Sequence, residues 1–250
     1  MRDRSLMLIF AHPDDETFGP GGTVAKYVSQ GVRVSLITAT SGQAGRTGGL
    51  ASTPEELGRV REEEARAASR FLGISTIHFF GYMDGKLDQV DETEIVERVV
   101  RLIRQERPDV VITFGPEGAG NEHRDHKMIS RVATKAVSEA GDPEVFSNQL
   151  KDGLAPHLVK KFYYSSGPET PWRKMSAPFM PVTTVIDITD FLDAKLEAFK
   201  LYRSQQELLP KLEEWIKANG NTESYHRASS TVLGLPAVER DLFAGLSDKD

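Results

Sequence analysis

Short apolar runs alternate with segments of helical periodicity through the first half of the chain, and this alternation narrows the choice of fold. Residues 5–10, 32–39, 74–80 and the stretch PDVVITFGP (108–116) are predicted strands, and residues 23–30, 55–72 and 92–106 are predicted helices. Such alternation is typical of βαβ units, in which a parallel sheet is covered by helices on both faces. The sequence therefore predicts an α/β, Rossmann-like fold with a mostly parallel sheet.

The pattern loosens after residue 140. Residues 158–166 and 182–189 are predicted strands, residues 191–203 and 206–218 are predicted helices, and the sequence from about residue 219 is predicted to be irregular. No shift in composition marks a boundary, and a chain of 250 residues can bury one sizeable core. We predict a single domain over residues 1–250, whose irregular last segment, including TESYH, is a candidate cover for a functional site.

Composition excludes several classes of protein. The chain has no cysteine, so disulfides, thiolate nucleophiles and cysteine-based metal sites are excluded. A net charge of −6 without a run of Lys or Arg argues against nucleic acid and anionic membranes as partners. No apolar segment reaches the roughly 18 residues of a membrane span, and the first ten residues are too short and interrupted for a signal peptide. We expect a cytoplasmic protein, and the sequence is compatible with a homo-oligomer.

Ionisable residues crowd into two loops that each follow a predicted strand. MLIFAHPDDETFGPGG (7–22) runs from the first strand into His12 and three carboxylates, and GPEGAGNEHRDH (115–126) follows the fourth strand. In the second loop, His123 and His126 are three positions apart, which places both rings on one face of a helix. Ligands of open α/β sheets bind beyond the carboxyl ends of the strands. We therefore expect the two loops to face each other across one crevice.

A metal ion would explain this crowding. A catalytic zinc site without cysteine needs three nitrogen or oxygen ligands and an open position for water. His12, Asp15 and His126 would supply two imidazoles and one carboxylate, and Asp14 beside them could act as a general base. Each motif alone also fits a solvated turn, a helix N-cap or a surface pair of histidines. Their joint placement at two strand ends favours the metal.

The two loops also resemble the motifs of the PIG-L/LmbE family of zinc-dependent N-acetylglucosamine deacetylases. AHPDDE (11–16) matches the family's His-x-Asp-Asp motif, and HRDH (123–126) matches its His-x-x-His motif. Three further segments are similar to family segments: TSGQAGRTGG, VREEEARAASRFLGI and VIDITDFLDAKLEAFKLYRSQ. The likeness extends over roughly residues 5–230 and implies an LmbE-like fold.

The resemblance implies a role for each residue of the two motifs. His12, Asp15 and His126 would hold zinc (Zn2+), and Asp14 would be the base that activates water. His123 would stabilise the tetrahedral oxyanion and protonate the leaving amine. A set of two histidines and one carboxylate also suits Fe2+.

Four further residues are candidates around this site. The resemblance implies that Asp125 steers the histidine pair and that Arg61 binds a polar part of the substrate. Arg46, in a glycine-rich loop, and Asp84, after the third strand, are candidate substrate contacts on the same edge of the sheet. Plainer alternatives stay open: Arg61 could pair with Glu64 on a solvated helix face, and Asp84 could be a turn residue.

The function predicted from this resemblance is removal of the N-acetyl group from a small-molecule amino-sugar conjugate containing N-acetylglucosamine (GlcNAc). Alternatives within the same chemistry are an amidase of a larger thiol-sugar conjugate and a deacetylase of another amino sugar. A non-catalytic metal- or sugar-binding protein is a third alternative, although it would not need Asp14. The glycines of 19–22 also leave a nucleotide-binding protein open, although the full G-x-G-x-x-G fingerprint is lacking.

Overall fold

Seven strands form one sheet in the part of the chain that the computed structural model describes, residues 4–166 and 179–246. In chain order they are β1 (Ser5–Phe10), β2 (Arg33–Thr40), β3 (Thr76–Tyr82), β4 (Val110–Phe114), β5 (Lys161–Ser166), β6 (Thr184–Asp187) and β7 (Thr222–Ser230). Their order across the sheet is β3-β2-β1-β4-β5-β7-β6. β1 to β5 are parallel to their neighbours in that group, whereas β7 is antiparallel to both β5 and β6. The predicted α/β fold with a mostly parallel sheet is confirmed.

Helices cover both faces of this sheet. They are α1 (Asp15–Phe18), α2 (Gly21–Ser29), α3 (Pro54–Leu72), α4 (Glu92–Glu106), α5 (Arg124–Glu139), α6 (Asn148–Lys151), α7 (Leu192–Lys200) and α8 (Leu209–Asn219). α2, α3 and α7 pack against one another, and α4 packs against α5. β1 is buried along its whole length and is apolar after Ser5, as expected for a central parallel strand. In the described ranges, no helix has the length and apolar character needed to cross a lipid bilayer.

α3 has well-defined ends and carries two charged residues on its buried face. Thr53 caps its start by accepting the backbone N–H of Glu56, and Pro54 occupies the first turn. Gly73, in the left-handed conformation (φ 77°), ends the helix. Arg61 and Glu64 are both buried between these ends. The helix therefore directs these two charged side chains into the protein, whereas others, such as Arg59 and Glu63, are exposed.

The prediction of an irregular segment after residue 219 is wrong at residues 222–230, which form β7. This strand inserts between β5 and β6. Its buried side chains include Glu223 and Tyr225, whose polar atoms bond to other buried groups. The sequence therefore lacks the alternation of apolar and polar residues by which a half-buried strand is recognised.

The two polar loops leave the same edge of the sheet. β1 and β4 are parallel neighbours, so their carboxyl ends lie side by side. The last residues of the two strands, Phe10 and Phe114, have ring centroids 4.7 Å apart. Residues 11–16 and 115–126 follow directly, so the expected meeting of the two loops is confirmed.

Candidate functional site

His12 is the central side chain of the site. Its Nδ1 lies 3.1 Å from Nε2 of His126 and 3.5 Å from Oδ2 of Asp15, and Oδ1 of Asp15 lies 3.5 Å from the same His126 nitrogen. Ligand atoms held tetrahedrally at about 2.0–2.1 Å from zinc are about 3.3 Å apart. Burial lowers the pKa of His126 to about 3, which favours the neutral ring that metals require. These three donor groups therefore fit a metal ion.

The other ring nitrogen of His12 faces two carboxylates. Nε2 lies 3.0 Å from Oδ1 of Asp84 and 3.3 Å from Oδ2 of Asp125. Asp125 also accepts the backbone N–H groups of Gly85 (2.6 Å) and Leu87 (3.1 Å). A metal-ligating histidine usually donates its second N–H to a carboxylate, which fixes the tautomer and the ring orientation. Asp84 and Asp125 fit this orienting role.

Two further trios of side chains have potential ligand atoms close together, and both contain His12. One trio adds His123 and His126, and the other adds Asp84 and Asp125. A neutral imidazole has one nitrogen with a free lone pair and one N–H, so His12 cannot serve both of its sides as a ligand. On the Nε2 side, Asp125 already accepts two backbone N–H groups. The candidate metal position is therefore on the Nδ1 side, with Asp15 and His126.

Asp14 forms a buried ion pair with Arg61. Nη2 of Arg61 lies 3.0 Å from Oδ2 of Asp14, and the same guanidinium donates to the backbone oxygens of Gly42 (3.0 Å) and Pro13. Burial raises the pKa of Asp14 to about 7, although the Arg61 charge acts in the opposite direction. The alternative of a solvated Arg61–Glu64 pair is wrong, because Arg61 is buried and Glu64 instead accepts from the backbone N–H and the hydroxyl of Ser204.

Glu16, to which sequence analysis assigned no role, lies directly behind the metal-ligand candidates. Its side chain is fully buried, its Oε2 accepts the backbone N–H of Asp14 (3.1 Å), and its Oε1 accepts the hydroxyl of Tyr202 (2.6 Å). Burial raises the pKa of Glu16 to about 8, although the hydrogen bond from Tyr202 opposes this. Glu16, the third acid of the first motif, therefore stabilises the loop through buried hydrogen bonds.

A second buried pair fixes the end of the same loop. Nζ of Lys195 donates to Oε1 of Glu223 and to the backbone oxygen of Gly19, both at 2.5 Å. Glu223 accepts the backbone N–H groups of Gly22 and Thr23 at the start of α2. A nucleotide phosphate would need these same N–H groups. The nucleotide-binding alternative is therefore wrong for this helix start, because a carboxylate of the chain itself occupies it.

His123 adjoins both candidate histidine ligands. Its ring centroid lies 4.6 Å from that of His12 and 4.8 Å from that of His126, stacked on the latter. Burial, followed by the charge of His12, lowers the pKa of His123. Unlike the other two histidines, its ring is partly exposed to the cavity.

One cavity of about 610 Å³ contains most of the predicted site residues. Its lining includes His12, Asp14, Asp15, Arg46, Arg61, Asp84, His123 and His126, but not Asp125. Arg46 lies at an exposed position, where its Nε is 3.0 Å from Oε2 of Glu207. Trp215 is the last lining residue along the described chain, so β7 does not cover the cavity. The other lining residues include the apolar side chains Phe18, Phe114, Phe179 and Leu208.

This chain is similar to known proteins in both sequence and fold. A model of the PIG-L family, described as GlcNAc-PI de-N-acetylase, matches residues 7–137. The 1D-myo-inositol 2-acetamido-2-deoxy-alpha-D-glucopyranoside deacetylase of Rhodococcus jostii is 32% identical, over 98% of this chain and 99% of that protein. The diacetylchitobiose deacetylase of Thermococcus kodakarensis is also 32% identical, over 81% of this chain and 70% of that protein. The solved N,N'-diacetylchitobiose deacetylase of Pyrococcus horikoshii has a TM-score of 0.77 at 24% identity and covers 98% of this chain and 87% of its own, which confirms the predicted LmbE-like fold.

Proposed function

Because this chain belongs to the PIG-L family, as its two motifs predicted, we propose that it removes the acetyl group from a GlcNAc conjugate with a bound zinc ion and Asp14 as general base. The chain is an N-deacetylase, an enzyme that hydrolyses an amide bond. The observation that carries the proposal is that polar atoms of the His12, Asp15 and His126 side chains lie within 3.1–3.5 Å of one another beside a cavity that Asp14 also lines.

His12, Asp15 and His126 are the proposed metal ligands. A bound zinc ion would polarise the amide carbonyl and lower the pKa of a water molecule towards about 7. Asp14 is the proposed acceptor of the proton that this water loses. Its carboxylate makes no capping bond to the helix that it begins and reaches the cavity instead. General-base catalysis by one positioned side chain contributes about 10²–10⁴ in rate.

His123 is the proposed partner of the oxygen that becomes negative as the amide is attacked. Its ring is packed against the rings of His12 and His126, and it faces the cavity. As an imidazolium it would donate a hydrogen bond to this oxygen and then pass a proton to the leaving amine. Loss of one such donor lowers the rate by about 10²–10³.

The remaining candidates are proposed to support these groups or the substrate. Asp84 and Asp125 are proposed to orient the ring of His12. For Asp84, this role takes the place of the predicted substrate contact, because Oδ1 of Asp84 lies 3.0 Å from Nε2 of His12. Arg61 holds Asp14 and presents the rest of its guanidinium to the cavity. Arg46 remains a proposed substrate contact, since it lines the exposed part of the cavity.

An amine-release assay tests the proposal. The metal-free enzyme would be supplied with zinc, with Fe2+ or with no metal, and offered GlcNAc, GlcNAc-inositol, di-N-acetylchitobiose and GlcNAc-malate. We expect metal-dependent release of acetate and a free amine from at least one conjugate, at a higher kcat/KM than from free GlcNAc. Absence of acetate release from every acetamido sugar in the metal-loaded enzyme would contradict the proposal.

The similar proteins guide the choice of conjugate. One is named for a GlcNAc-inositol substrate and another for diacetylchitobiose, so these two conjugates are the first to compare. Release of an acyl group larger than acetyl from a thiol-sugar conjugate, at a higher kcat/KM than acetate from either conjugate, would instead support the amidase alternative.

A further inference from the structure

The backbone of Asp14 has a conformation that residues other than glycine rarely adopt. Its φ is 99° and its ψ is −24°, in the left-handed region. Asp14 is also the N-cap residue of α1, yet its side chain makes no capping hydrogen bond. An N-cap aspartate ordinarily accepts an N–H from the first turn of its helix. Both departures leave the carboxylate free to contact Arg61 and to line the cavity.

Buried side chains hold both peptide groups of Asp14. On one side, its N–H donates to Oε2 of Glu16 (3.1 Å), much as a first-turn glutamate reaches back to the N-cap in a capping box. On the other side, its carbonyl oxygen accepts the hydroxyl of Thr17 (2.9 Å) and the N–H of Phe18 (2.9 Å). Thr17 and Phe18 are local neighbours, but Glu16 is itself held by Tyr202, which is distant in sequence.

We propose that Tyr202, acting through Glu16, is a positioning residue for Asp14. The Tyr202 hydroxyl fixes the Glu16 carboxylate, Glu16 fixes the N–H of Asp14, and the resulting left-handed backbone turns the Asp14 carboxylate toward Arg61 and the cavity. Without the hydroxyl, Glu16 is free to rotate and the Asp14 backbone can relax toward an ordinary conformation. The catalytic consequence rests on the proposed function, whereas the restraint on the backbone does not.

The substitution Tyr202→Phe removes only the hydroxyl. We expect kcat for the best amino-sugar conjugate to fall about 10- to 100-fold, because a displacement of about 1 Å at a reacting group has effects of this size. KM should stay within about twofold of the wild-type value, and bound zinc should be unchanged, because the metal ligands are not altered. Glu16→Gln, which keeps an acceptor oxygen for the Asp14 N–H, should retain more activity than Glu16→Ala.

Tyr163→Phe is the matched control. Tyr163 is also fully buried and donates its hydroxyl to a buried glutamate, Glu239 (3.0 Å), but this glutamate pairs with Lys161 and Arg227 instead of accepting the N–H of Asp14. If the Tyr202 hydroxyl contributed to stability alone, both variants would lower the melting temperature and neither would change kcat. A loss of kcat in Tyr202→Phe no greater than in Tyr163→Phe would overturn the proposal.

Hydrogen exchange at the Asp14 amide provides a readout that does not need activity. The zinc-loaded protein would be followed by NMR, and we expect this amide to exchange at least about 10-fold faster in Tyr202→Phe than in the wild type or in Tyr163→Phe. Unchanged exchange would overturn the proposal, and so would faster exchange with an unchanged kcat. If the wild type hydrolyses no acetamido sugar, the proposed function fails, and the exchange rates still decide whether Tyr202 restrains Asp14.

Discussion

Nη2 of Arg61 lies 3.0 Å from Oδ2 of Asp14, so a side chain of α3 forms an ion pair with the proposed base. The same guanidinium donates to the backbone oxygen of Gly42, in the loop after β2. It therefore joins the loops that follow two neighbouring strands. From the sequence, Arg61 was considered as a partner in a surface ion pair or as a substrate contact. Neither interpretation describes its buried contacts with Asp14 and Gly42.

Gly42 and Gly49 allow the position of Arg61 to be tested without changing its charge. A Cβ atom at Gly42 would lie 2.0 Å from Nη1 of Arg61, whereas one at Gly49 would meet nothing within 4 Å. Both glycines have positive φ (64° and 75°), so the backbone strain of an alanine, about 1–2 kcal/mol, is common to both. We expect Gly42→Ala to lower kcat about 10-fold or more and Gly49→Ala to leave it near the wild-type value. Equal kcat values in the two variants would show that the placement of Arg61 does not matter.

Asp14→Asn should separate catalysis from metal binding. The amide cannot accept the proton of the attacking water, so we expect acetate release to fall about 10²–10⁴-fold. Zinc content, measured by mass spectrometry, should not change, because Asp15 and the two histidines remain. Asp152→Asn is the control, since Asp152 pairs with Arg101 at the surface and does not line the cavity. Full turnover in Asp14→Asn would exclude Asp14 as the base.

Chelation should destabilise the protein as well as inactivate it. A ligand that binds only the folded state adds about 2.7 kcal/mol of stability at 100 times its Kd. We expect a chelator to lower Tm and zinc to restore both Tm and turnover. His126→Ala should abolish the response of Tm to zinc, whereas His78→Gln should keep it, because His78 pairs with Glu106 away from the cavity. A zinc response that persists in His126→Ala would place the metal elsewhere.

Glu239 should make stability fall in acid. It is fully buried, accepts Nζ of Lys161 (2.6 Å) and pairs with Arg227 (2.6 Å). Burial disfavours its charged form, but the hydrogen bonds from these two residues outweigh this effect and hold the pKa of Glu239 below its usual range. A carboxyl group with a lowered folded pKa stabilises the fold above its unfolded pKa of about 4.3, and this stabilisation is lost as the pH falls through the folded value.

Glu239→Gln should therefore flatten the acid dependence of the unfolding free energy below about pH 4.3 and cost about 3–5 kcal/mol near pH 7. Urea unfolding from about pH 3 to about pH 7 measures both effects. Glu197→Gln is the control, because Glu197 and Lys200 form an exposed pair whose loss should leave stability nearly unchanged. An acid dependence identical to that of the wild type would show that Glu239 does not titrate in this range.

The sequence predicted the parallel part of the fold most clearly at its centre, because burial on both faces makes β1 and β4 nearly continuous apolar runs. The helices predicted at 23–30, 55–72 and 92–106 end within two residues of the observed α2, α3 and α4. β7 could not be predicted in this way. Its buried residues Glu223 and Tyr225 are polar and form hydrogen bonds instead of joining an apolar face.

The site likewise contains some residues that the local sequence predicts and others whose position depends on tertiary packing. The proposed ligands stand in short motifs at strand ends, where local spacing and strand order place them together. Other residues that hold the first loop are isolated polar residues later in the chain: Lys195 in α7, Tyr202 just after α7, and Glu223 in β7. Their contacts depend on how these parts of the chain pack. One sequence signal was available: Lys195 and Tyr202 both lie in the segment VIDITDFLDAKLEAFKLYRSQ, which resembles a family segment.

The order of these elements along the chain has a consequence for biosynthesis. A nascent chain that has left the ribosome only as far as α5 already carries His12, Asp15 and His126. Arg61, which contacts Pro13 and Asp14 between the first two of them, has also emerged, but the later side chains that hold the first loop have not. Lys195, Tyr202 and Glu223 emerge only after β5. Binding of a metal ion at the proposed site, in its final geometry, would therefore follow completion of the sheet rather than translation of the last proposed ligand.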